Sequence, residues 1–315
     1  MAPAARLRET VARVRDHDLY FSFKASRITV GAAIVTALVM VAALLAPLIT
    51  PQDPFNPAEL DLLDAFTPPA WAAEGSWRFV LGTDDQGRDM YSAMLYGARI
   101  SLLVGFASVL LAALIGVSAG LLAGYVGGAL DAVIMRIADV QISFPAILIA
   151  LLIDGVLRGM LPREQHDELA LYVLVFAIGF AGWVQFARTV RGSTMVEKGK
   201  EYVQAARVIG VPPLFIMVRH VLPNVMGPVL VIATVYLAVA ILTEATLSFL
   251  GVGVPPTQPS LGTLIDIGQD YLFSGEWWIV VFPGTLLATL ILAVNLLGDW
   301  LRDALNPKLR KGVAR

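Results

Sequence analysis

The sequence predicts an all-α integral membrane protein with six transmembrane helices and both termini in the cytoplasm. Three observations carry this. Of the 315 residues 57% are hydrophobic and 15% charged, with a mean hydropathy of +0.73, whereas charged residues alone make up about a quarter of an ordinary soluble domain. Long apolar runs recur without strand-like alternation, and helices are how such runs satisfy their backbone groups in lipid. Of the 23 Lys and Arg, 18 lie in residues 1–27, 127–141, 188–220 and the C-terminal tail. By the positive-inside rule that side is the cytoplasm.

The elements follow in order. Residues 1–27 carry six Lys and Arg and form a cytoplasmic segment. Residues 28–50 contain no charge and are long enough to cross about 30 Å of hydrocarbon. The run exceeds the apolar stretch of a signal peptide, so it is read as an uncleaved anchor. Residues 51–99 form an extracytoplasmic loop, residues 100–300 a five-helix core, and residues 301–315 a cytoplasmic tail. Within the core the spans are 100–126, 142–157, 169–186, 225–254 and 277–297. The 142–157 run is short and contains Pro145 and Asp154, so a full crossing and a broken or re-entrant segment both fit. With only five spans the basic 188–220 loop would lie outside, and the charge bias favours six. Gly116, Gly120, Gly124 and Gly128 recur every four residues, a row of small residues that admits another backbone, from this chain or from a partner.

Chemistry-bearing motifs are sparse. There is no G-x-x-x-x-G-K-[ST], so the chain has no P-loop with which to hydrolyse ATP. It has no cysteine and no H-E-x-x-H, and His17, His166 and His220 stand apart, which points to no catalytic residue and no metal. No basic face interleaved with aromatics marks a nucleic-acid partner. Asp154 and Glu244 lie toward the outer ends of their spans, where a carboxylate can reach interfacial water.

The longest internal cytoplasmic loop, 188–222, contains EYVQAARVIGVPP at 201–213. On a helix Tyr202, Ala205, Ala206 and Ile209 share one face at i, i+3, i+4 and i+7. Gly210 and the prolines after it stop the helix, and 214–221 forms a second short helix leading to Leu222 and Pro223. Such a knuckle is either a linker packed on its own bundle or a docking strip for a soluble partner.

Gln204, Ala205, Ala206, Gly210, Leu222 and Pro223, preceded by Glu201, closely match the loop pattern of permease subunits of binding-protein-dependent ABC importers: Glu-Ala-Ala, three residues, Gly, nine residues, Ile, any residue, Leu-Pro. Gln204 replaces the acidic residue and His220 the isoleucine. LGTDDQGRDMYSAMLYGARISLLVGF (81–106), EATLSFLGVGVPPTQPSLGTL (244–264) and GDWLRDALNPKLR (298–310) resemble the second permease subunit of the dipeptide, oligopeptide and nickel branch. The resemblance implies the type I ABC importer permease fold in a bacterial inner membrane, and a heterodimer with a sister permease. It further implies two ATP-binding subunits or domains that hold the ATP and magnesium, no cofactor in this chain, and an extracytoplasmic solute-binding protein. The knuckle becomes the coupling helix, and Asp84, Asp85, Arg88 and Asp89 become part of a surface for the binding protein. The outer loop also reads as a cap on the bundle, or as an interfacial shield anchored by Trp71 and Trp77. Peptides are the expected cargo. The alternative is an ion-coupled secondary transporter or channel subunit, a class marked by inverted halves with matched broken helices; no half-to-half repeat is visible.

Overall fold

The computed structural model describes residues 18–162 and 165–305. Its regular structure is helical throughout, apart from one isolated bridge between Thr83 and Asp89. In chain order the helices are α1 (Asp18–Ala25), α2 (Arg27–Leu44), α3 (Ala46–Ile49), α4 (Met90–Val126), α5 (Gly128–Ile142), α6 (Ala146–Met160) and α7 (His166–Glu197). They continue with α8 (Glu201–Val208), α9 (Pro213–Ile216), α10 (Leu222–Phe249), α11 (Leu261–Gln269) and α12 (Trp278–Leu305). Five helical stretches are long and apolar enough to cross a membrane: α2, α4, α7, Pro213–Phe249 and α12. The pair α5 and α6, bent by 93°, brings the number to six if it is one span.

The contacts of that pair show how far it reaches along the bundle. Arg191 of α7 grips Asp131 of α5 through Nε at 2.5 Å and Nη2 at 2.7 Å, beside the end of α4. Further along, Trp183 donates to Gln141 at 2.6 Å, so α5 climbs antiparallel to α7. At the other end of the bundle Arg158 of α6 donates to the carbonyls of Val252 and Gly253, just beyond α10. The pair therefore reaches from one end of the bundle to the other in two pieces, broken at Pro145, whose ring denies the helix a backbone donor.

The helices overrun the expected spans. Asp89 caps α4, accepting from the Ser92 amide at 2.9 Å and its hydroxyl at 2.6 Å, so the helix begins ten residues before 100 and reaches 37 residues. At 1.5 Å per residue that is roughly 55 Å, well beyond the hydrocarbon. α4 and α7 share the most extensive contact in the bundle, and the glycine row explains how. A Cβ on Gly116 would sit 2.4 Å from the Trp183 carbonyl oxygen, and one on Gly120 2.4 Å from that of Ala187. A Cβ on Gly124 would meet Thr194 and the Arg191 carbonyl at 2.8 Å. The row therefore packs within this chain. Gly128 does not belong to it: α4 has ended, Gly127 and Gly128 turn with φ of +74° and +60°, and nothing lies within 4 Å of a Cβ at Gly128. The period of four is kept, but the helix that would give it meaning is not.

The second short helix expected at 214–221 is not a separate element either. Pro213 to Phe249 is continuous, with a π turn at Met217–Val221 in which the Leu222 amide bonds to the Met217 carbonyl. Pro223 has no amide to complete a regular turn and its ring crowds the preceding carbonyls. Widening one turn accommodates both without breaking the helix.

Candidate functional site

The knuckle is built by a short helix and its stop. α8 closes in a Schellman motif: the Val211 amide bonds to the Ala206 carbonyl at 3.0 Å and the Gly210 amide to that of Arg207 at 3.1 Å. Gly210 takes φ +82°, a conformation that glycine alone adopts without strain. Lys198 donates to the Gly124 carbonyl at 2.7 Å and Arg207 lies 4.9 Å above the Tyr125 ring, tying the knuckle to the end of α4. Tyr202 donates to the His220 carbonyl at 3.2 Å, and Asn224 to both that carbonyl and the Tyr202 hydroxyl. The first turn of α10 is thereby locked to α8.

The expected docking strip straddles the boundary between inside and outside. Val203 and Ala206 are buried against the bundle, whereas Glu201, Tyr202, Gln204, Ala205, Ile209 and Gly210 are exposed. Ala206 is thus an internal contact of the knuckle and not part of its free face. The bare apolar surface includes residues the spacing did not single out: Val208 is 86% exposed, and Leu214, Phe215 and Val218 are exposed beside it. Leu222 is partly buried and Pro223 exposed, both at the start of α10. The repeat at i, i+3, i+4 and i+7 finds an apolar face but not the direction in which the helix is rotated onto its neighbours.

At the opposite end the run 82–89 is an internal clamp. Arg88 is 1% exposed and Asp84 fully buried. The guanidinium donates from Nε to Asp84 at 2.5 Å and from Nη1 to the Pro256 carbonyl at 2.9 Å, so one side chain joins the two long connections at this end. Asp84 also accepts from the amides of Gln86 and Arg88, and Trp278 of α12 donates to the Thr83 carbonyl at 2.9 Å. Asp84, Arg88 and Asp89 are therefore corrected from surface residues to interior ones; of the four residues expected to face a partner, only Asp85 keeps solvent contact. Arg88→Met is expected to cost about 3 kcal/mol, because it strands the buried Asp84 carboxylate. Thermal melting in detergent checks this, and an unchanged midpoint would refute the clamp. Trp71 and Trp77 remain exposed, Trp71 with its ring edge-on to Phe282 of α12.

Burial, and then the adjoining Asp84 carboxylate, push the Asp85 carboxyl above its ordinary 3.8. The folded state then holds this proton more tightly than the unfolded one, so stability is lost as pH rises from 3.8 through the raised value. Asp85→Asn should accordingly raise the melting temperature at neutral pH, by a margin that closes on acidification below 3.8. A margin independent of pH would show that the charge is not the cause.

The two intramembrane carboxylates do not reach interfacial water as expected; both are fully buried. Glu244 of α10 instead accepts from Ser101 of α4 at 2.7 Å and from Ser248 at 2.8 Å. Asp154 of α6 forms an ion pair with Arg158 at 2.9 Å. His166 contacts the Leu161 carbonyl at 3.0 Å, and His17 lies outside the described residues. Among the described residues no group of three or more acidic, His or Cys side chains is placed to hold a metal.

Comparison with known proteins supplies the frame for both ends. The chain is 37% identical over 294 residues to the dipeptide transport system permease protein DppC of Haemophilus influenzae, covering 93% of this chain and 95% of that one. It is 38% identical over 293 residues to the di/tripeptide transport system permease protein DppC of Pseudomonas aeruginosa, covering 93% and 92%. Among solved structures, the inward-facing MetNI methionine ABC transporter has a chain that superposes with a TM-score of 0.54 at 18% identity. The match covers 69% of this chain and 98% of that one, and shows a shared fold. Residues 116–311 match the family described as binding-protein-dependent transport system inner membrane component, and the chain belongs to that family.

Proposed function

We propose that this permease forms half of a translocation pathway for di- and oligopeptides, in a bacterial inner membrane, with the knuckle end and both termini in the cytoplasm. A sister permease supplies the other half, and an extracytoplasmic solute-binding protein delivers the cargo at the end carrying residues 51–89. Two ATP-binding subunits hold ATP and magnesium and seat the knuckle. The observation that carries the coupling role is the bare apolar face of Val208, Ile209, Leu214 and Phe215 on a knuckle that is otherwise pinned to the bundle. A surface this apolar outside the hydrocarbon calls for a protein partner, and a pinned one transmits what the partner does. Tyr202, Gln204, Ala205, Ile209 and Gly210 contribute to that contact, with Leu222 and Pro223 passing motion into α10. Peptides as cargo are supported by the two DppC relatives and by the resemblance at 244–264. Family membership also favours this reading over an ion-coupled carrier.

Purification in mild detergent tests the assembly. A sister permease and two P-loop ATPases should copurify, and peptide uptake in liposomes should require ATP and the binding protein. A chain that transports alone without ATP would refute the reading.

A further inference from the structure

We propose that Arg158 is the far anchor of the helix that the knuckle moves, a positioning residue for translocation and not a group that meets the cargo. The knuckle continues without a break from Pro213 to Phe249, so a push at one end arrives at the other. What the far end is tied to then decides what the push accomplishes.

Beyond Phe249 the chain turns through Gly251 at φ +73°, with the Val252 amide bonded to the Leu247 carbonyl at 3.0 Å. The next carbonyls, of Val252 and Gly253, lie just past the end of α10 and accept from a cationic donor. Arg158 places its Nη2 3.1 Å from the first and 2.7 Å from the second. It comes from α6, the outer piece of the broken span, and is the side chain by which α6 holds this turn. The other bonds to the segment differ in kind. Ser248 accepts from the Val254 amide and Thr263 donates to the Val254 carbonyl, both from elements next to the turn in sequence. Arg88 holds Pro256 from a fully interior position. The Arg158 side chain is 26% exposed and sits on a helix bent 93° from its predecessor, where it can shift its hold without dismantling a core.

Asp154 completes the device. It is fully buried one turn before Arg158, and its contact with the guanidinium Nε at 2.9 Å is an ion pair. A buried carboxylate paired with a guanidinium holds it in place, since separation would leave a charge poorly compensated in low dielectric. The Nη2 arm is committed to the two carbonyls. A push on the knuckle is thus handed through Arg158 from α10 to α6 at the opposite end of the bundle.

The inference rests on the knuckle being the ATPase contact, and the test separates the two. The assembled transporter with its binding protein is placed in ATP-loaded liposomes, and uptake of a labelled dipeptide is measured against ATP hydrolysed. Asp154→Asn combined with Arg158→Gln removes both charges together, so no lone charge is buried. The double variant is expected to assemble and melt like wild type and to continue hydrolysing ATP. It should move roughly tenfold less peptide per ATP, the scale set by losing a charge-assisted hydrogen bond. Arg158→Lys, which keeps the charge but not the fork, should fall between the two. Wild-type yield per ATP in the double variant would overturn the anchor alone, as would a parallel fall of uptake, hydrolysis and melting temperature, which marks a merely structural role. Wild-type uptake that needs no ATP would overturn the functional reading and the anchor together.

Discussion

Ile209→Glu is expected to abolish peptide uptake by loosening the ATPases from the knuckle, while the ATPases themselves go on hydrolysing ATP. Ile209 is 78% exposed and Val208 beside it 86%, so the substitution disturbs nothing within the chain; surface changes of this kind rarely move stability by more than about 0.5 kcal/mol. What it changes is the partner side. A carboxylate driven into an apolar groove either loses its hydration unpaired or keeps the two surfaces apart, and a pinned knuckle cannot turn a different face to the groove. Copurification of the ATPases should weaken in step with uptake. Full uptake at normal expression would remove the coupling role. Ala206→Glu, by contrast, strikes the buried side of α8 and should loosen the knuckle from its own bundle, lowering the melting temperature even without partners.

Gly120→Val is expected to leave no folded protein. The Cβ alone would stand 2.4 Å from the Ala187 carbonyl oxygen and 3.0 Å from the Ala187 Cα, and the obstacle is backbone, which cannot swing aside as a side chain can. Overpacking a core by a few methylenes costs about 1–3 kcal/mol where neighbours repack; here α4 and α7 must separate along their whole contact. Gly128→Val, in the same sequence row, should be far milder, because only the positive φ of the turn is strained. Size-exclusion profiles of the two variants in detergent test this contrast. A monodisperse Gly120→Val protein would show that the close approach is not required.

These two positions also show where reading the sequence ends. Four glycines at one spacing are indistinguishable by pattern, yet three admit a neighbouring backbone and the fourth closes a turn after the helix has stopped. Likewise the knuckle was legible as a short helix ended by Gly210, because propensity and φ are local. Which of its apolar residues face inward was not, because that follows from how Lys198, Arg207 and Tyr202 fasten it to α4 and α10. Residues 82–89 read as a polar surface run and fold into an interior clamp, since Asp84 and Arg88 satisfy each other and Pro256 lies 168 residues away in sequence. The grip of Arg158 on residues 94 and 95 positions further on left no local trace at all.

By itself the sequence determined that this chain lives in a bilayer, which stretches are apolar enough to cross it, and where the knuckle helix stops. Those properties depend on the transfer of apolar stretches out of water and on local backbone geometry, both of which a stretch of twenty residues expresses without its neighbours. Only the tertiary structure decided which polar groups are interior, that the segment 128–160 reaches the far end of the bundle in two pieces, and which face of the knuckle is free. Each of these depends on partners brought together from distant parts of the chain, and a buried charge or an exposed apolar side chain is defined by what stands next to it.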